Sequence, residues 1–206
     1  LYAFLWILLL SVFAGTAQAQ SIADLEAKLK RPVKVHFAES LASALEKKTA
    51  GKVDFIIGKD SVIRYEAKEL KLGIAPILAL TGKDGSTEQK GLVVVPSSDK
   101  ALTVEDLKGY ELLFGPAPCE EKQGAALRLF KELNVAVPDK LTICNSCSDG
   151  AVKVLELAKA GKKAATVISS YAQPLLEGCG NVKKGELRVI GTTDPIPFIT
   201  VFVNEK

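Results

Sequence analysis

A chain of 206 residues, 48% of them hydrophobic and 25% charged, has an ordinary globular balance and enough apolar material for a sizeable core. Its 27 basic and 24 acidic residues leave a formal charge of +3, and the lysines are interspersed with acids, as in Glu46-Lys47-Lys48 and Lys68-Glu69. A dense basic stretch interleaved with aromatics is missing, which argues against a nucleic-acid partner.

The first residues carry the strongest compositional signal. Leu1 to Ala14 are almost wholly apolar, and small residues follow, ending in the A-x-A pattern Ala17-Gln18-Ala19. This predicts a secretory signal peptide over 1–19, cut before Gln20, and an exported mature chain; an uncleaved anchor is the alternative. The run is too short to span a bilayer comfortably. No initiator Met or basic n-region precedes it, so the sequence reads as a fragment at its start. In an oxidising compartment Cys119, Cys144, Cys147 and Cys179 are disulfide candidates with three possible pairings. Cys144-Asn-Ser-Cys147 has CxxC spacing but no following His, which excludes covalent haem attachment. A redox-active pair or a four-thiolate metal site is the rival reading.

Beyond residue 22, short β-type runs alternate with amphipathic helical stretches. A helix over Ile22 to Leu29 leads to a strand, Pro32 to Ala38. Ser40 then caps a helix carrying Leu41, Ala44 and Leu45 on one face and closed by Gly51. Val53 to Gly58 is a short buried strand, followed by a helix from Ser61 to Leu70 and a strand from Gly73 to Leu80. After the polar stretch Thr81 to Lys90 comes the strand Gly91 to Pro96. Thr103 and Asp106 form a capping-box-like helix start. A strand over Glu111 to Gly115 precedes a helix from Glu120 to Leu133, with Ala126, Leu129, Phe130 and Leu133 on one stripe. A strand at Leu141 to Cys144, a helix from Asp149 to Ala160, a buried strand at Ala164 to Ser169 and a short helix from Tyr171 continue the alternation. Two apolar runs, Leu187 to Gly191 and Phe198 to Val203, end it. This βαβ rhythm implies an α/β fold with mainly parallel sheets flanked by helices.

In such sheets ligands sit beyond the carboxyl ends of the strands, against helix N-termini. That rule selects four loops: Ala38-Glu39-Ser40, Gly58-Lys59-Asp60-Ser61, Gly115 to Lys122, and Ser169-Ser170-Tyr171. Lys59 with Ser61 offers a cation and a hydroxyl for an anion; the alternative is a surface lysine paired with Asp60 beside a serine that merely caps the helix. Ser169, Ser170 and Tyr171 offer two hydroxyls and an amphipathic ring, or else capping and core packing. Ser40 has the same two readings. His36 is the sole histidine and stands in no Ser/His/Asp pattern; neither HExxH, GxSxG nor a P-loop occurs. The chain reads as a binding protein, not an enzyme, and needs no cofactor.

Several segments, in order, resemble one family. Gly51-Lys-Val-Asp-Phe-Ile-Ile-Gly58, Gly91-Leu-Val-Val-Val-Pro96, Leu102-Thr-Val-Glu-Asp-Leu-Lys-Gly109, Leu113-Phe-Gly115, Val167-Ile-Ser-Ser-Tyr171 and Leu187-Arg-Val-Ile-Gly191 with Pro195-Ile-Pro197 are similar to the phosphonate-type periplasmic solute-binding proteins of ABC transporters. The resemblance implies a type II periplasmic-binding-protein fold, truncated at both ends, with one lobe over 20–90 and another over 91–203. Crossover strands would lie near 91–96 and 198–203. It further implies a monomer in the periplasm that holds a small ligand, an oxyanion such as phosphonate or phosphate, between its lobes for an ABC permease in the inner membrane. The third loop departs from the family pattern. Where phosphonate binders place a Ser/Thr-rich turn, this chain has Ala117-Pro118-Cys119-Glu120-Glu121, whose carboxylates would repel a dianion or else face solvent at a helix N-terminus.

Overall fold

The computed structural model describes residues 26–28, 30–48, 52–82 and 85–205. The expected signal peptide, most of the expected first helix and Gly51 lie outside the described residues; 26–28 are helical. By their contacts, residues fall into two units, Leu1–Asp54 with Glu66–Gly73 and Phe55–Tyr65 with Ile74–Lys206.

In the first unit Ser40 has extended backbone, and its Oγ accepts from the Ser43 amide at 3.1 Å. It caps α1 (Leu41–Ser43), which runs on as a π-helical turn, Ala44–Lys48. The Glu66 carboxylate accepts from the Leu41 amide at 2.6 Å, and Leu41 and Ala67 are buried. The strand expected over Pro32 to Ala38 does not form: these residues are irregular, and Val35 and Phe37 are exposed. Alternation alone makes no strand without a neighbour to complete a ladder; here the Val33 amide donates to the Glu26 side chain at 2.7 Å instead.

The second unit holds three sheets. β1 (Phe55–Lys59) is followed by α2 (Asp60–Glu69) and β2 (Ile74–Leu80). β3 (Glu88–Gln89), β4 (Gly91–Pro96), β5 (Glu111–Phe114), α3 (Gly124–Glu132) and β6 (Thr142–Ile143) come next. The chain ends with α4 (Cys147–Lys159), β7 (Ala164–Ser169), α5 (Gln173–Gly178), β8 (Leu187–Thr192), β9 (Ile196–Pro197) and β10 (Ile199–Asn204). The sheets are β1-β10-β2, β3-β9 and the five-stranded β6-β5-β7-β4-β8.

The α/β class stands, and the strand directions refine it. β5 pairs parallel with β6 and β7, while β4 pairs antiparallel with both β7 and β8. Four strands therefore point one way and β4 alone opposes them. The three-stranded sheet repeats the arrangement, with β10 antiparallel to both β1 and β2. Strands linked by crossover helices share a direction. β4 and β10 arrive from outside those crossovers and insert into the interior of a sheet reversed.

Both faces of the large sheet are covered, which is why β4 and β7 read as continuous apolar runs. Val93, Val95 and Val167 pack on one side with Phe114, Ala126 and Phe130; Val94 and Ile168 pack on the other with Ala151, Leu176 and Val182. Phe114 and Phe130 meet edge to face, centroids 5.6 Å apart. Burial of each ring contributes about 1.5–3 kcal/mol. Helix starts follow local chemistry. Thr103 and Asp106 form the expected capping box, and the Leu102 and Thr103 amides hold the Asp106 carboxyl below its ordinary range. α4 begins at Cys147 rather than Asp149, because Ser146 and Asp149 exchange side-chain-to-amide hydrogen bonds across its first turn.

Candidate functional site

The site is built where β1, the loop after β5, and β7 end. Gly58 leaves no room for a side chain, since an added Cβ would lie 2.9 Å from Ile63 Cγ1, and this lets β1 turn directly into α2. The Asp60 amide donates to the Phe198 carbonyl at 2.7 Å. Its buried carboxylate accepts from Arg64 Nε at 2.7 Å, and the Arg64 guanidinium lies 5.1 Å from the Phe202 ring centroid. The Lys59 and Ser61 side chains are left to reach toward the next loop.

That loop, Gly115 to Gln123, folds back on itself. The Gly115 amide donates to the Lys122 carbonyl at 3.2 Å, and Gln123 Nε2 donates to the Gly115 carbonyl at 2.9 Å. The long helix expected from Glu120 is broken. Glu120–Lys122 form a 3-10 turn, Gln123 leaves helical geometry, and α3 begins only at Gly124. The turn carries Glu121 and Lys122 inward, so the expectation that both acids face solvent is corrected for Glu121, which is 0% exposed. Glu120 stays partly exposed and pairs with Arg128 at 2.8 Å.

Glu121 joins the two larger sheets. Lys59 Nζ lies 2.6 Å from Glu121 Oε1, and the Ser169 hydroxyl donates to the same oxygen. Ser61 Oγ donates to the Pro118 carbonyl at 2.8 Å, which links α2 to the same loop. Glu121 Oε2 is buried with no hydrogen-bond partner among the described residues. Cys147 Sγ sits beside this group, accepting from the Ser169 amide at 3.4 Å and contacting Ser169 Oγ at 3.7 Å. The Tyr171 ring stacks on Phe198, centroids 4.8 Å apart and planes 21° off parallel. Burial pushes the Tyr171 phenol up, with Cys147 and Glu121 adding to the effect. Beside the Ser61–Pro118 link opens a cleft of about 300 Å³, lined by Asp60, Ser61, Arg64, Pro118, Glu120 and Pro197 among others.

Five of the seven singled-out residues thus meet here: Lys59, Asp60, Ser61, Ser169 and Tyr171. Ser170 is engaged with the chain leading into β4, its Oγ accepting from the Lys90 amide at 3.1 Å. Ser40 belongs to the other unit and serves as a helix cap. Sequence reasoning overlooked Glu121 as a central group, along with Cys147 and Phe198. The signal for Glu121 was the carboxylate at a strand end, read there as repulsive rather than as a partner for Lys59.

The disulfide expectation is corrected: Cys119, Cys144, Cys147 and Cys179 are all free thiols. Cys119 lies in the loop after β5, Cys144 just past β6, Cys147 in the first turn of α4 and Cys179 at the end of α5, so packing directs them to different places. CxxC spacing across a strand-to-helix turn points one sulfur to the core and the other to Ser169. Among the described residues no group of three His, Cys, Asp or Glu could hold a metal ion, and the thiol-based or metal-binding rival is not favoured. Likewise no described helix is long and apolar enough to cross a membrane.

The binding-protein component of an ABC phosphonate transporter from Pseudomonas aeruginosa is similar in fold, with 18% identity and a TM-score of 0.61 over 93% of this chain and 65% of that one. A protein from Prochlorococcus marinus, solved in complex with methylphosphonate, gives 14% identity and a TM-score of 0.59 over 90% and 72%. The periplasmic aliphatic sulphonate binding protein of Escherichia coli gives 14% and 0.57 over 90% and 60%. The chain spans 65% of the length of the first of these relatives. No curated protein matches the sequence. The signature of the family described as "ABC transporter, phosphonate, periplasmic substrate-binding protein" matches residues 16–206, and the chain belongs to that family.

Proposed function

We propose that this chain captures a small polar solute outside the cytoplasm, as a monomer, and presents it to an ABC permease in the inner membrane. One observation carries the reading: Glu121 receives Lys59 from the end of β1 and Ser169 from the end of β7, so loops from two sheets converge on one point. In open α/β sheets such a convergence at strand ends is where ligands bind. The three-stranded sheet belongs to one lobe and the five-stranded sheet to the other, over about 20–90 and 91–203. The reversed strands β4 and β10 serve as crossovers. Capture then works by lobe closure, the solute binding the closed arrangement better than the open one. Lys59, Asp60, Ser61, Ser169 and Tyr171 face the solute, with Ser170 a further candidate just past β7 and Ser40 a candidate in the other unit. Export by the segment 1–19 fits a family whose description is periplasmic. A ligand-sensing role would use the same capture step.

Thermal-shift and calorimetric titration of the purified chain test this, against a panel of phosphonates, sulfonates, inorganic phosphate and neutral or cationic metabolites. A true ligand at about 100 times its Kd stabilises by about 2.7 kcal/mol, an easily read rise in melting temperature. The rise should shrink in Lys59→Ala or Ser169→Ala. A panel that moves neither the wild type nor these variants would sink the receptor reading.

A further inference from the structure

The contacts made by Glu121 Oε1 are those a bound oxyanion would make. An ammonium (Lys59 Nζ, 2.6 Å) and a hydroxyl (Ser169) both donate to it, at strand ends of two different sheets. The carboxylate is completely buried and the lysine nearly so, with side-chain exposures of 0% and 14%. Two donors from different sheets and one acceptor make a seat for a single negative charge. A side chain of the protein fills it.

Resting on the receptor reading above, we propose that Glu121 is a tethered anion: it occupies the seat formed by Lys59 and Ser169, excludes free oxyanions, and restricts the wild-type chain to neutral or cationic solutes. Three observations support this. A dianion entering the seat would share Lys59 with a buried carboxylate on the same site, and like charges at such range in a dry interior repel strongly. The Glu121 turn packs closely on β4, its carbonyl oxygen filling the space a Cβ on Gly91 would take, so the side chain starts from a turn held against the large sheet. And Glu121 Oε2, buried without a partner among the described residues, is an acceptor to which a solute's N–H or O–H group can donate once the cleft opens.

Melting-temperature titrations with inorganic phosphate, methylphosphonate and acetate test the proposal on the wild type, Glu121→Ala, and the double variant Lys59→Ala/Glu121→Ala. Emptying the seat should let small anions in. Each anion should then raise the melting temperature of Glu121→Ala saturably and bind it at least tenfold more tightly than it binds the wild type. The double variant should lose that gain. Should Glu121→Ala fail to fold cooperatively, Glu121→Gln carries the same test, since the uncompensated Lys59 still recruits anions. Equal or tighter anion binding by the wild type, abolished by Lys59→Ala, would overturn the proposal while upholding the receptor reading. Anion-silent variants beside a wild type that binds a neutral or cationic solute would overturn it too. A wild type silent to every solute beside a variant that binds anions would uphold the seat and count against the receptor.

Discussion

Gly91 and Glu121 share one space: a Cβ built on Gly91 would lie 2.0 Å from the Glu121 carbonyl oxygen. The first residue of β4 thus sets how close the buried turn can come to the large sheet. Gly91 also donates its amide to Thr193 Oγ1 at 2.8 Å, and the Thr193 methyl would lie 2.9 Å from the same Cβ. Gly91→Ala must push Glu121 away or bend β4. Overpacking of this kind costs about 1–3 kcal/mol, and a backbone neighbour puts it at the upper end. Urea unfolding should show a lower midpoint with an unchanged slope. An unaltered midpoint would mean that the turn moves freely.

Lys59→Ala would leave the Glu121 carboxylate buried without its cation. Removing one partner of a buried pair costs about 3–5 kcal/mol, far more than losing a surface pair. Adding Glu121→Gln to the same chain removes the stranded charge and should restore part of the loss. A double-mutant cycle by chemical denaturation reads both effects. Additive losses would mean that the pair contributes nothing as a pair.

Thiol reactivity should follow position. Cys179 is exposed and should react first with a thiol-specific disulfide reagent. Cys144 is buried, and that burial pushes its thiol pKa up, so it should react last in the native chain. Denatured protein prepared without reductant should release four equivalents. A count of zero would restore the disulfide framework.

Tyr110 should make stability fall in strong base. Its hydroxyl donates to Asp99 at 2.7 Å, and burial together with that carboxylate pushes the phenol up to about 12 from 10.0. Because the folded value exceeds the unfolded one, the stabilisation is fully present below pH 10 and is lost as pH rises toward 12. Melting temperatures between these limits should fall less steeply in Tyr110→Phe than in the wild type. Parallel curves would refute the coupling.

Much of the fold was legible because it rests on local patterns. The apolar runs 91–96 and 164–169 are strands buried on both faces, and the stripe Ala126, Leu129, Phe130 and Leu133 packs as a helical face should. Misreadings arose where a pattern needed a distant partner. Pro32 to Ala38 alternates like a strand but meets no neighbour, and the helix expected from Glu120 breaks at Gln123 because its first turn is drawn inward. The strand-end rule picked five residues that the structure brings together and overlooked Glu121, which joins Lys59 to Ser169. The charge of Glu121 is visible in the chain, whereas its burial depends on Lys59, which is 62 positions away.

The sequence by itself determined the alternation of strands and helices over most of the chain from β1 onward, the caps at Ser40 and Thr103, and the family, since each depends on neighbours a few residues apart or on an ordered set of short segments. Only the tertiary structure decided the direction of β4 and β10, the free state of the four thiols and the pairing of Lys59 with Glu121. Those depend on where remote segments meet, and in a dry interior that meeting turns two ordinary charges into a single neutral group.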